Sequence, residues 1–181
     1  MDDPETTIEI SHNQIRDEIP PYITKLIVDT DRMGSSTATH IIHLLSSHSH
    51  IISVHVKESR RGFNNNQKGL NNTILSRMVF HPHLRSLSLH ICQDTSEWTQ
   101  HLIDNLSVQS LTLNQYDYNL GPIIAHNTNL RTLILSHDAP VKPIKIPKSE
   151  VDDFAKALGS NTTLRKLQLD KPNFKIISAA V

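Results

Sequence analysis

The chain has 181 residues, with 18 Lys+Arg against 18 Asp+Glu and a formal net charge of zero. Hydrophobic residues make up 37% of it and aromatics only 4%, so one domain of ordinary size must build its core from Ile, Leu and Val. This balance excludes a global basic footprint for nucleic acid, and the lone Cys92 excludes both an intramolecular disulfide framework and a multi-cysteine zinc site.

In chain order, Met1 to Glu5 reads as neither a basic nor an apolar leader, so a secretory signal is not expected. The apolar runs are far shorter than the roughly 20 residues a membrane helix needs. The expectation is a soluble cytoplasmic protein without a membrane partner. Ile8, Ile10, Ile15 and Ile19 predict an N-terminal capping segment over 1–22.

From residue 23 a six-residue phrase recurs: Ile23–Val28, Ile51–Val56, Leu84–Leu89, Val108–Leu113, Leu130–Leu135 and Leu164–Leu169. Three copies read Leu-Arg-x-Leu-x-Leu, and apolar residues at the first, fourth and sixth positions predict strands with one buried face. Successive phrases start 28, 33, 24, 22 and 34 residues apart, the scale of one supersecondary unit.

The text before each phrase repeats in phase. Ten residues back stand Ile41, Ile74, Trp98, Leu120 and Phe154; six back stand Leu45, Met78, Leu102, Ile124 and Leu158. An i, i+4 apolar pair marks one helical face. Three back stand His48, His81, Asn105, Asn127 and Asn161, polar groups suited to ending a helix and turning the chain. Six units over 23–170 stacked on the cap, with a tail or partial cap over 171–181, bury a core that no unit could bury alone.

These phrases, and Asp153-Phe-Ala-Lys-Ala-Leu-Gly-Ser-Asn-Thr-Thr-Leu164 above all, resemble leucine-rich repeat proteins of the ribonuclease-inhibitor-like subclass. The resemblance covers about Ile23 to Leu169. It implies an α/β leucine-rich repeat solenoid with a curved parallel sheet on its concave face and helices on its convex face. The consensus Asn/Cys position holds Asp31, Ser59, Cys92, Tyr116, Asp138 and Pro172, so the units are degenerate. The Asn-, His- and Ile-rich composition is also similar to repeat effectors that intracellular bacteria deliver into a host cytosol.

Two segments stretch the period, Lys57–Gly69 and Asp138–Lys148. Both are basic, one punctuated by glycine and the other by proline, and both fall on one edge of the stack as surface insertions or extensions of a binding face.

The histidines invite a metal reading. His48 and His81, however, occupy the position of Asn105, Asn127 and Asn161, which makes them turn formers, and no zinc-ligand spacing is present. Cys92 sits at the Asn/Cys position without an activating signature, no phosphate loop occurs, and Asp152 and Asp153 suit a helix start capped by Ser149. The expectation is no enzyme, no cofactor and no metal.

The outward strand positions form a surface of small, neutral, hydrogen-bonding groups. The partner-binding set is His55, Lys57, Ser88, His90, Thr112, Asn114, Ile134 and Ser136 on the sheet. Arg60, Arg61 and Phe63, Tyr116 and Tyr118, and Lys142 and Lys145 join it from the loops. Lacking the basic-aromatic weave of a nucleic-acid platform, this surface suits a folded protein. The expected function is a non-enzymatic module, monomeric by itself, that grips such a partner, an enzyme among the options, whose active site it would cover. The alternative is an adaptor bridging two proteins.

Overall fold

A computed structural model describes residues 6–11, 18–29, 35–57, 81–90, 96–105, 107–114, 120–136 and 148–169, with 35–38, 90, 96–99 and 114 described as backbone only. Seven strands alternate with helices: β1 Thr7–Ile10, β2 Lys25–Asp29, β3 Ser53–Lys57, β4 Ser86–His90, β5 Ser110–Asn114, β6 Thr132–Ser136 and β7 Lys166–Leu169. The described helices are α1 Ser35–Ser47, α2 Ser96–Asp104, α3 Gly121–His126 and α4 Lys148–Ser160. Every strand pairs in parallel with its sequence neighbours, in the order β1 to β7.

Each recurring phrase supplies a strand that begins at its third residue. The first residue still points into the core: Ile23, Ile51, Leu84, Val108 and Leu130 are buried. The fourth and sixth residues follow suit, from Leu26 and Val28 to Leu133 and Leu135, as the two-residue side-chain period of a strand requires. They form one apolar cluster with Ile41, Leu44 and Leu45 of α1, Leu102 of α2, Ile123 and Ile124 of α3, and Ala157 of α4. Phe154 and Leu158 pack against that cluster only half-buried.

The uneven spacing costs no register. Lys25, Ser53, Ser86, Ser110, Thr132 and Lys166 form one unbroken row across six strands. The 22- and 24-residue intervals hold helices of 6 and 9 residues, and the 28- and 34-residue intervals hold helices of 13. Length variation is absorbed between strands, because a one-residue slip within them would turn the apolar set outward.

Two local expectations are corrected. Leu120, expected inside a helix, is the N-cap of α3, where Pro122 sets the first turn. Ser149, expected as a cap, lies within α4, which starts at Lys148 and carries Glu150 in its first turn. The Asn/Cys positions at 31, 59, 92, 116, 138 and 172, both long segments between strands and the tail fall outside the described residues.

Candidate functional site

A polar ladder runs beside the sheet at the described corners where a helix gives way to the next strand. Asn105, Asn127 and Asn161 make the same turn. Their Oδ1 atoms accept from the backbone N–H groups two and three residues on: Ser107 and Val108 at 2.9 and 2.7 Å, Asn129 and Leu130 at 2.9 and 2.8 Å, Thr163 and Leu164 at 2.9 and 2.6 Å. An amide can meanwhile donate from its other end. Asn127 Nδ2 donates to the carbonyls of Leu102 at 2.8 Å and Asn105 at 3.0 Å, and Asn161 Nδ2 donates to that of Ile124. All three asparagines therefore close their own turns, and Asn127 and Asn161 also satisfy a helix-end carbonyl of the preceding unit.

Histidine imitates half of this. A carbonyl only accepts, so His81 Nε2 carries the proton and donates to Leu45 O at 2.7 Å, the equivalent of the Leu102 and Ile124 bonds. The turn N–H of Leu84 bonds the His81 backbone carbonyl instead, at 3.2 Å, and the buried His81 Nδ1 has no partner. His48 donates from Nδ1 to Leu44 O at 2.7 Å, and its Nε2 accepts from Ile19 N at 3.4 Å. His48/His50 and His81/His83 repeat one edge-to-face ring contact, with centroids 5.3 and 5.9 Å apart. The expectation that these histidines form turns holds.

Burial holds the His81 pKa below the ordinary imidazole value of about 6.5; the bond to Leu45 opposes this and His83 adds to it. With the folded pKa depressed, the unfolded chain takes up the proton first. Stability is then full above about pH 6.5 and declines as the pH falls below it toward the folded pKa. His81→Asn supplies both halves of the ladder contact, so urea denaturation at neutral pH should show it about 1 kcal/mol more stable. Its advantage should widen as the pH is lowered through 6. A variant less stable than wild type by a pH-independent margin contradicts this role for the imidazole.

Beside this corner lies an open cavity of about 350 Å³ lined by Ile42, Leu45, Ser46, Ser49, His81, Pro82 and His83. Its Ser46 hydroxyl is committed to Ile42 O at 2.8 Å. Among the described residues, no group of three or more His, Cys, Asp or Glu side chains is arranged to hold a metal ion. No described helix is long and apolar enough to cross a membrane.

The ladder aligns the outward rows. His55, Ser88, Thr112 and Ile134 stand side by side on β3 to β6, all partly exposed, between Ile27 on β2 and Gln168 on β7. Of the other expected binding residues on the sheet, Ser136 is 9% exposed. Lys57 donates to Glu9 at 3.2 Å, with both side chains exposed. The side chains of His90 and Asn114 lie outside the described set, as do Arg60, Arg61, Phe63, Tyr116, Tyr118, Lys142 and Lys145 entirely.

The arginines of the repeated Leu-Arg pairs belong to the same architecture and were missed by reading strands for their apolar positions. Arg85 Nη1 donates to Ser107 O and Arg131 Nη1 to Thr163 O, both at 3.2 Å, each reaching the turn of the next unit. The signal was the recurrence of Leu-Arg itself. No family model matches the chain, and no curated protein matches it significantly.

Proposed function

We propose that the chain is a leucine-rich repeat protein of the ribonuclease-inhibitor-like kind, its parallel sheet lining the concave side of a solenoid. On this reading it is a non-enzymatic module that holds a folded protein against that face, with the 57–69 and 138–148 segments gripping from one edge. Where the partner is an enzyme, covering its active site inhibits it.

One observation carries the reading: from β1 to β6 the inward face of the sheet is dry, while most of the outward face is not. Parallel sheets are ordinarily covered on both faces and read as continuous apolar runs. Here the inward rows are buried from β1 to β6 and half-buried at β7, while the outward row Ile27, His55, Ser88, Thr112, Ile134 and Gln168 stays partly exposed. Small hydroxyl, amide and imidazole groups in fixed register bond a partner's surface at low desolvation cost, and β-branched side chains lose little entropy on contact.

The test is affinity capture from lysate with wild type and with Ser88→Arg/Thr112→Arg/Ile134→Arg, three outward positions that leave the core intact. A partner retained by wild type and lost by the folded variant is expected, with inhibition assayed if that partner is an enzyme. Identical captures by both proteins contradict a role for the open face. Two partners held at once, one indifferent to the three substitutions, point to an adaptor.

A further inference from the structure

We infer that the rim just before the strands, where the second residue of each phrase stands, is a docking edge for an extended acidic protein segment. This rests on the binding reading above and adds the chemistry of the partner.

The rim row is Thr24, Ile52, Arg85, Gln109, Arg131 and Arg165. It is as ordered as the sheet: from Ile52 on, each backbone N–H bonds the carbonyl of the preceding member at 2.8–3.0 Å. At about 4.8 Å per strand, Ile52 to Arg165 spans roughly 19 Å, the reach of about six extended residues. Arg85 and Arg165 are exposed, and Arg131 is partly so.

The bonds from Arg85 to Ser107 O and from Arg131 to Thr163 O orient the guanidinium groups without consuming them, since each fork has five donors. Preorganised arginine loses less entropy on binding a carboxylate than a free side chain does. Alongside runs the first row of the sheet, with the hydroxyls of Ser53, Ser86, Ser110 and Thr132 and the ammonium of Lys166. Neither row contains a carboxylate, in a chain whose formal net charge is zero, so this is a local excess of positive charge.

The rim also has an apolar end. Among the described residues the exposed large hydrophobic side chains are Tyr22, 64% exposed, and Ile52, 44% exposed. Ile52 belongs to the row, and Tyr22 lies in the turn just before Thr24. Tyrosine and arginine are the side chains that most often dominate an interface. The matching segment is acidic along its length, with an apolar residue at the end that meets Tyr22 and Ile52. Single-stranded RNA offers the anions but needs aromatic platforms along the row, and the rim has its one tyrosine at the end.

The experiment titrates the full chain into fluorescent short peptides by anisotropy at low salt. The probes are a peptide with a terminal phenylalanine followed by alternating glutamates, its glutamine counterpart, and oligouridylate. The Glu peptide should bind, and the Gln peptide should bind at least about tenfold more weakly, as paired charges require. Arg85→Glu/Arg165→Glu should lose a similar factor, and Ile52→Ser should weaken the phenylalanine end. Arg165→Glu alone, at a guanidinium without a described bond, guards against a fold defect, and Lys156→Glu on α4 should change nothing. Equal binding of Glu and Gln peptides, insensitivity to the arginine substitutions, or tighter binding of oligouridylate overturns the inference. A partner captured through the open face while the Glu peptide fails to bind removes the rim alone. Rim binding without any capture through the open face removes the broader reading instead.

Discussion

Asn127→Ala is expected to lower the free energy of unfolding by about 3–5 kcal/mol, more than most single substitutions. The side chain is 3% exposed and makes four hydrogen bonds, two to its own turn and two to the preceding unit. Alanine leaves the N–H groups of Asn129 and Leu130 and the carbonyls of Leu102 and Asn105 short of partners at a dry corner. Asn127→Asp separates the two halves: its carboxylate still accepts the turn bonds but confronts two carbonyls with negative charge. Urea denaturation should therefore find the aspartate variant destabilised as well, and increasingly so as the pH rises through the carboxylate range. An aspartate variant as stable as wild type contradicts the bridge between units.

The second large effect is expected in the core. Leu111 of β5 is 1% exposed, flanked by Leu87 and Leu133 in its row. Leu111→Ala removes that contact from the middle of the stack and should cost about 2–5 kcal/mol, the upper end applying if the cavity does not collapse. Leu167 holds the same row position on β7 but is half-buried, so Leu167→Ala should cost clearly less. Equal costs at the two sites contradict a core that runs continuously beneath the sheet and thins toward β7.

The strands were legible because each phrase states its inward positions three times over. A pattern with buried first, fourth and sixth residues admits one register, and the observed rows have it. The corner was legible as a position but not as a mechanism. That Asn105, Asn127 and Asn161 recur says that a turn is there; that the amides of Asn127 and Asn161 also reach back to the previous unit depends on stacking, which no single unit encodes. The substitution of histidine there is chemically intelligible only once the Leu44 and Leu45 carbonyls are in place to accept a ring N–H. The low exposure of Ser136 was not legible, because alternation gives the direction of a side chain and not what lies over it. The Lys57–Glu9 pair was not legible either, because Glu9 lies 48 residues earlier, on a strand two away in the sheet. The arginine rim was overlooked for a simpler reason: attention to apolar periodicity discards the residue between two leucines.

The helices carry the complementary lesson. The spacing of apolar pairs located α1, α2 and α4, but α3 has only six residues and starts after the residue that the pattern placed inside it. A 22-residue interval leaves no room for more. Its support comes from Ile123 and Ile124 packed in the core, from Asn127 at its C-terminus and from the Asn161 amide on the Ile124 carbonyl, not from helix length.

The central claim is that the open sheet face meets a protein partner, and photo-crosslinking tests it most directly. A benzophenone side chain is placed at Ser88 or Thr112 on the outward row and, separately, at Ser46 on α1 or Lys156 on α4, all of them at least partly exposed. Irradiation in lysate should link the same protein from both sheet positions and from neither helix position. Crosslinks that form from the helices and not from the sheet contradict the account and transfer the binding role to the opposite side of the molecule.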